Sequence, residues 1–134
     1  MAKLNIGVIG LGIMGKAILN GLGRNPQVNI TSLCDISEKN LTAAKEEYNI
    51  SSGYTDHNEM YEKENLDAVY IATPDWAHHD PVIAALDAGI HVHVEKPMTT
   101  EIREAHEIVD KVRETGLKLQ VSFNHRWLNP YNAT

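Results

Sequence analysis

The chain has 134 residues, of which 43% are hydrophobic and 22% charged, and this composition is typical of one soluble globular domain. Its formal net charge of −6, without a cluster of Lys or Arg, argues against a nucleic-acid partner because phosphate groups need a basic face. A single cysteine (Cys34), no recognisable signal peptide and no apolar run of membrane-spanning length lead us to expect a cytoplasmic protein without membrane association.

The first half of the chain alternates short apolar runs with helical patterns, which is typical of strand–helix–strand units in a parallel sheet. The pattern predicts strands at Leu4–Ile9, Val28–Cys34 and 53–55, each followed by a helix. Ser37 and Asp56 are the predicted N-caps of the second and third helices. The apolar positions that define the first two helices are Ile13, Met14, Ala17, Ile18 and Leu22, then Leu41, Ala44 and Tyr48.

The second half repeats this rhythm, with strands predicted at 67–72, 90–94 and 118–123. Two helices separate these strands, and the second of them is strongly amphipathic and ends at Gly116. The residues of that helix expected to face inward are Ile102, Ala105, Ile108, Val109 and Val112. Six strands in two similar halves predict an α/β fold, a Rossmann-type doubly wound parallel sheet of strand order 3-2-1-4-5-6. We expect it to form a three-layer α/β/α single domain spanning residues 1–134.

The most informative segment is the G-x-G-x-x-G sequence from Gly10 to Gly15, between the first strand and the first helix. Gly10 allows a tight turn, Gly12 lets a pyrophosphate approach the backbone, and Gly15 lets the helix pack closely on the sheet. The amides that open the helix, including those of Ile13 and Met14, favour an anion. Such a loop can also be a simple tight turn, but its strand–helix context and an acidic residue 20 positions after Gly15 favour dinucleotide binding.

That acidic residue is Asp35, which ends the second strand. Its carboxylate can accept hydrogen bonds from the ribose diol of an adenosine and would repel the additional phosphate of NADP. The expected cofactor is therefore NAD, with NADP less favoured, although nearby Lys39 makes this preference moderate. The alternative is that Asp35 only caps the helix that begins near Ser37.

Three further motifs follow in a fixed order along the chain. They are Ala72-Thr73-Pro74, Glu95-Lys96-Pro97 and Asn124-His125-Arg126. Together with the glycine loop and Asp35, they closely resemble the N-terminal domain of the Gfo/Idh/MocA oxidoreductases, which include glucose–fructose oxidoreductase and inositol dehydrogenase. The resemblance runs from Leu4 to about Pro130. It implies an NAD(P)-dependent oxidoreductase that acts on a hydroxyl group of a sugar, a polyol or a related small molecule.

The resemblance also implies roles for the matching residues. Those expected to line the nicotinamide end of the cofactor cleft are Thr73, Pro74, His78, Glu95, Lys96 and Asn124. Lys96 is the implied catalytic residue, which hydrogen-bonds the substrate hydroxyl and assists its deprotonation. These residues follow the predicted fourth, fifth and sixth strands, and ligands of open α/β sheets bind at the carboxyl ends of strands. The alternative for Lys96 is a solvated surface lysine.

Members of this family continue into a second domain that holds the substrate, and we do not expect that domain within residues 1–134. The chain, whether an isolated domain or a natural truncation, is therefore expected to bind NAD without efficient turnover. One alternative is a non-catalytic module that self-associates through the face such a domain would cover, with Trp127, Leu128 and Tyr131 part of that face. Another is an NADH-responsive protein that interacts with a partner.

The seven histidines raise the question of a metal site. His91 and His93 alternate along one predicted strand, and His78 and His79 open a helix. Zinc sites need three or four ligands at compatible spacing, with Cys or carboxylate support, and no such set is recognisable here. We therefore expect no metal.

Overall fold

Six strands and five helices alternate along residues 2–123, the part of the chain that the computed structural model describes. The strands are β1 (Leu4–Ile9), β2 (Val28–Cys34), β3 (Ser52–Tyr54), β4 (Ala68–Ile71), β5 (His91–Glu95) and β6 (Leu119–Ser122). The helices are α1 (Ile13–Leu22), α2 (Glu38–Tyr48), α3 (His57–Lys63), α4 (His79–Asp87) and α5 (Ile102–Thr115), with a short 3-10 turn at Asp75–Ala77. Each strand predicted from the sequence is present, with bounds moved by at most one residue.

Local hydrogen bonds explain where the helices begin and end. The Ser37 hydroxyl accepts from the amide of Asn40 at 3.3 Å, and the Asp56 carboxylate accepts from the amide of Asn58 at 2.9 Å. Both residues therefore act as the predicted N-caps, satisfying amides that the first turn leaves without a partner. Gly116 ends α5 in the left-handed conformation, with φ +69°, as predicted from its position.

The strands form one parallel sheet in the order β3-β2-β1-β4-β5-β6, which confirms the predicted topology. The order reverses between β1 and β4, because the second half of the chain crosses back over the sheet. Ile9 pairs with both Cys34 and Ile71, so the ends of β1, β2 and β4 lie side by side. The loops that leave these strands therefore meet at one edge, which is the usual ligand site of a doubly wound sheet.

Two apolar layers enclose the sheet because neighbouring strand residues point to opposite faces. Val8 faces α1 and α2 in a cluster with Leu19 and Leu41, whereas Ile9 faces α3, α4 and α5. Each layer is fully buried at its centre. The three-layer α/β/α arrangement is thus the predicted one.

The prediction of which α5 residues face inward was wrong in part. Ile108 is fully buried, but Ile102 is 80% exposed and Val109 is 39% exposed. Helix α5 covers the β5–β6 end of the sheet and packs beside α4, so only a narrow stripe of its surface is enclosed. Ile102 lies in the first turn, and Val109 is rotated about 100° from Ile108 around the helix axis. The periodicity of the sequence identified the apolar residues of α5. It could not show how wide a stripe of the helix surface the neighbouring elements would cover.

Candidate functional site

The glycine loop uses two of its glycines to build the turn itself. Gly10 has φ +88°, and a Cβ there would lie 2.5 Å from the carbonyl oxygen of Ala72. A Cβ on Gly15 would lie 1.8 Å from the carbonyl oxygen of Gly10, so α1 could not pack against the loop. These two positions accept only glycine because side chains would collide with backbone, which is immobile compared with a flexible side chain.

Gly12 is different, since the fold does not require it to be glycine. Its φ of −75° suits any residue, and a Cβ there would have no heavy atom within 4 Å. It precedes α1, whose N-terminus has no side-chain cap and no acidic residue in its first turn. Open space therefore lies in front of the α1 amides and the positive end of the helix dipole. A bound diphosphate fits this arrangement, because the missing side chain leaves room for it and the amides can donate to it.

The apolar side chains at the start of α1 point away from the protein. Ile13 is 94% exposed, and Met14 is exposed as well, although the sequence pattern placed both in the apolar repeat of the helix. The buried positions of α1 are Gly15 and Leu19. Because Gly15 occupies the contact with the loop, Ile13 and Met14 are left at the rim of the open space.

Asp35 faces this loop rather than bulk solvent. One carboxylate oxygen accepts from the amide of Leu11 at 2.8 Å, and the other accepts from the amide of Ser37 at 2.8 Å. Ser37, and not Asp35, is the residue whose side chain caps α2. Each carboxylate oxygen has a second lone pair, so Asp35 can hold the glycine loop and still accept from a ribose diol.

His78 joins two loops on the other half of the sheet. Its side chain is fully buried, with Nδ1 at 2.7 Å from the carbonyl oxygen of Pro97 and Nε2 at 3.0 Å from that of Thr73. Both partners are carbonyl oxygens, so a neutral imidazole donates to one of them, and only a protonated ring can donate to both. The Thr73 hydroxyl also donates to the carbonyl of Ala77, at 3.1 Å, closing the turn that follows Pro74. His78 thus lies between the predicted site loops and ties them together, without pointing into the open space.

Glu95 and Lys96 have opposite surroundings although they are neighbours at the end of β5. The Glu95 side chain is 6% exposed and accepts a hydrogen bond from the hydroxyl of Tyr70, whereas Lys96 is exposed. Burial and the hydrogen bond to Glu95 raise the pKa of Tyr70, so its phenol remains a donor. Sequence reasoning missed Tyr70. The available signal was a polar aromatic residue in a central strand, which must find a buried partner.

Asn124, the last predicted cofactor residue, lies outside the described residues, as do Trp127, Leu128 and Tyr131. Within residues 2–123, no three His, Cys, Asp or Glu side chains are close enough together to hold a metal ion. Two of the histidines considered for such a site have other contacts: His91 Nδ1 accepts from the amide of Lys118 at 3.0 Å, and the His93 ring packs on Tyr70. None of the helices within residues 2–123 is long and apolar enough to cross a membrane.

Comparison with known proteins gives a consistent result. A family profile described as "Oxidoreductase family, NAD-binding Rossmann fold" matches residues 4–123. The myo-inositol 2-dehydrogenase of Thermotoga maritima is 29% identical over 124 residues, which make up 92% of this chain and 37% of that protein. The chain therefore spans less than half the length of this relative.

Solved structures resemble the fold closely. The crystal structure of scyllo-inositol dehydrogenase from Lactobacillus casei with bound NAD(H) and scyllo-inositol superposes with a TM-score of 0.93 at 26% identity, covering 98% of this chain and 39% of that one. The WlbA dehydrogenase from Bordetella pertussis in complex with NADH and UDP-GlcNAcA gives a TM-score of 0.92 at 26% identity, covering 98% and 40%. The resemblance found in the sequence motifs is thus confirmed, and the chain belongs to the Gfo/Idh/MocA oxidoreductases, a family with an NAD-binding Rossmann fold.

Proposed function

We propose that this chain is the NAD(H)-binding part of an oxidoreductase that transfers hydride between the cofactor and a sugar, a polyol or a related hydroxy compound. The observation that carries the proposal is the open space at Gly12, beside an uncapped helix N-terminus and within one loop of the Asp35 carboxylate. A dinucleotide carries a diphosphate next to an adenosine ribose. In this chain the glycine loop, which offers the diphosphate site, is linked to Asp35, which offers the ribose site, by the hydrogen bond from the Leu11 amide to the Asp35 carboxylate.

In this proposal the first half of the sheet holds the adenosine half of the cofactor. The amides of Ile13, Met14 and Gly15 donate to the diphosphate, and Gly12 leaves space for it. Asp35 accepts from the ribose diol. A 2′-phosphate at the same place would meet that carboxylate, which is held by two amides and has little freedom to turn away. NAD is therefore the preferred cofactor.

The second half of the sheet receives the nicotinamide half. Thr73, Pro74 and Glu95 surround it from the ends of β4 and β5, and His78 keeps these loops at a fixed separation. The cofactor supplies the hydride acceptor or donor. Lys96 is exposed at the same edge, so its amine can hydrogen-bond a substrate hydroxyl and take its proton as hydride leaves the carbon.

Cofactor binding is assigned to this chain, whereas the choice of substrate is assigned to groups outside it. In this proposal the described site residues contact the diphosphate, the ribose and the nicotinamide, and Lys96 is the one among them that also reaches a substrate. Hydride transfer needs the two reacting carbons to be held about 3–3.5 Å apart. We therefore expect the isolated chain to bind NADH without efficient turnover.

The proposal is tested by titrating the chain with NADH and with NADPH, in the wild type and in Asp35→Ala. We expect saturable binding that is tighter for NADH, and a larger loss of affinity for NADH than for NADPH in the variant. The matched control is Asp67→Ala, because Asp67 also accepts a backbone amide, that of Asn5 at 2.7 Å, but precedes β4 at the opposite edge of the sheet. The control should leave the NADH-to-NADPH ratio unchanged. No saturable NADH signal in the wild type contradicts the proposal.

A second candidate function is a self-associating module, and one observation favours it. Trp76, in the 3-10 turn after β4, is 73% exposed, and Phe123, directly after β6, is 60% exposed; both follow strands at the carboxyl edge of the sheet, where α5 also presents Ile102. Exposed apolar side chains grouped at one edge are typical of an interface. Light scattering over a dilution series separates the candidates: a concentration-dependent dimer supports self-association, and a monomer at all concentrations contradicts it.

A further inference from the structure

Glu95 is a buried carboxylate whose hydrogen-bond network among residues 2–123 consists of uncharged groups. Its side chain is 6% exposed and accepts from the hydroxyl of Tyr70 on β4. In the sheet register it pairs with Ser122 on β6, and the Ser122 hydroxyl hydrogen-bonds Tyr70 in turn. Two neighbouring strands therefore contribute hydroxyl groups around one acid. Hydroxyl donors stabilise a carboxylate without neutralising its charge.

No cation compensates that charge within the described part of the chain. The ion pairs among residues 2–123 do not include Glu95, and the adjacent Lys96 is exposed at the surface. His93 lies two residues earlier, on the same face of β5, but burial lowers the pKa of its imidazole. His93 is thus neutral near pH 7, so no positively charged side chain among residues 2–123 pairs with the Glu95 carboxylate.

Glu95 lies where the nicotinamide end of a dinucleotide is proposed to bind. The half-site formed by β4, β5 and β6 is the second mononucleotide-binding half of a doubly wound sheet, and ligands bind at the carboxyl ends of its strands. Glu95 is the last residue of β5, so it lies at that end. The nicotinamide ring carries a positive charge in NAD⁺ and none in NADH, whereas the rest of the cofactor is the same in both.

We propose that Glu95 sets the preference of the site between the two redox forms, because its buried carboxylate stabilises the cationic ring of NAD⁺ and has no comparable effect on NADH. This inference rests on the proposed function, since it requires the nicotinamide to bind in the second half of the sheet. The Tyr70 hydroxyl donates to the carboxyl group of Glu95 and is itself hydrogen-bonded by Ser122, so the acid is held in place. The bound cofactor is consequently more reducing than it would be beside a neutral residue.

The test is the ratio of two dissociation constants, measured by calorimetry for NAD⁺ and for NADH on the isolated chain. Replacing Glu95 with Gln keeps the shape and an acceptor for Tyr70 but removes the charge. A charge interaction over several ångströms in a partly solvated site corresponds to about 10-fold in affinity. We expect Glu95→Gln to weaken NAD⁺ by about that factor relative to NADH, and Glu95→Asp, which keeps the charge, to retain the wild-type preference.

Glu64→Gln is the matched control. Glu64 also accepts from a tyrosine hydroxyl, that of Tyr54 at 2.6 Å, but it follows α3, outside the proposed cofactor cleft. This variant should leave both dissociation constants unchanged. Circular dichroism reports whether each variant is folded.

The outcomes separate this inference from the proposed function. Wild-type chain that binds neither cofactor overturns both. Binding of both cofactors with the same ratio in wild type and in folded Glu95→Gln overturns the inference and leaves the proposed function standing. Should Glu95→Gln not fold, Tyr70→Phe decides, because removing the phenol donor destabilises the carboxylate: a shift of about 3-fold against NAD⁺ supports the inference, and no shift overturns it.

Discussion

The three glycines between Gly10 and Gly15 differ in whether the fold requires them. Gly10 and Gly15 are required by the fold, because side chains there would meet backbone atoms at 2.5 and 1.8 Å. Gly12 has free space on the side where a Cβ would project. The loop can therefore be divided by mutation into residues that make the turn and a residue that leaves room for a ligand.

We predict that Gly12→Ala folds normally and loses cofactor. Its backbone angles suit alanine and its Cβ contacts nothing, so the thermal midpoint should stay within a few degrees of the wild type. The methyl group occupies the place proposed for the diphosphate, so NADH affinity should fall by at least about 10-fold. Gly15→Ala is the comparison and should unfold or lose several kcal/mol of stability. Undiminished NADH binding in Gly12→Ala would show that the diphosphate lies elsewhere.

His78 should matter for stability more than its position near a ligand suggests. We predict that His78→Leu, which keeps the volume, destabilises the chain by about 2–4 kcal/mol, because the ring no longer offers an N–H to the carbonyls of Thr73 and Pro97. His78→Gln can still donate to one of them and should lose less. Urea denaturation measures both. Equal stabilities of the wild type and the Leu variant would mean that the two loops hold their positions without this ring.

Some of these residues were readable from the sequence and others were not. Gly12 and Asp35 could be named as candidates because the spacing of a backbone-binding loop and its acidic partner is local and fixed. The second hydrogen bond of Asp35, to Leu11, depends on how β1 and β2 pair, and spacing alone does not show it. Tyr70 was missed for the same reason, since its partner Glu95 is 25 residues away and on another strand.

At the scale of elements, α4 and α5 are joined by a titratable side chain. His79 opens α4, with Nδ1 at 2.9 Å from Asp80 and Nε2 at 2.6 Å from Glu107 on α5. Burial alone would lower the pKa of His79, but the hydrogen bonds and charges of these carboxylates outweigh it and raise the pKa above its usual value of 6.5. The protonated ring donates to both carboxylates and so links the two helices.

This link predicts a pH dependence with a definite sign. Because the folded-state pKa of His79 is raised, its stabilisation is complete below pH 6.5 and disappears as the pH rises through the higher folded value. Comparing the wild type with His79→Gln by urea denaturation should give a difference of up to about 1 kcal/mol in mild acid and a smaller one in mild alkali. A difference that grows with pH would contradict the assignment.

Lys111→Gln provides the control for that series. Lys111 joins the same two helices through Asp87, at 2.8 Å, and its pKa is raised by this pairing, so its charge is constant across neutral pH. The stability lost in Lys111→Gln should therefore be the same at pH values on both sides of 6.5.

The elements themselves were largely predictable, and two of the exposed apolar residues that were not predicted have a common cause. Strands β1 and β2 were found with the bounds that the structure has, since buried parallel strands are continuous apolar runs between turn residues. The exposed positions of Ile13 and Ile102 were not foreseen. Both lie in first turns at the carboxyl edge of the sheet, where a helix extends past the strands and its apolar side chains are not covered.

At the scale of the whole molecule, the features of the site converge at one edge of the sheet. The glycine loop follows β1, Asp35 follows β2, the Thr73 turn follows β4, and Glu95 ends β5. The described surface also has a shallow groove between α3 and α4 that contains none of these residues and is lined by Asn58, Tyr61, Glu62, Ala84, Asp87 and Ala88. A ligand bound at the carboxyl edge of the sheet and a ligand bound in the α3–α4 groove would therefore affect different backbone amides.

Amide-resolved NMR of the ¹⁵N-labelled chain during a titration with NADH tests the central claim most directly, because it reports the location of the cofactor as well as its binding. The account predicts saturable shift changes that are largest at the amides of Leu11 to Gly15 and of Asp35 and Ile36, with smaller ones at Thr73 and Lys96. Shift changes centred on the α3–α4 groove, or none at saturating NADH, would contradict it.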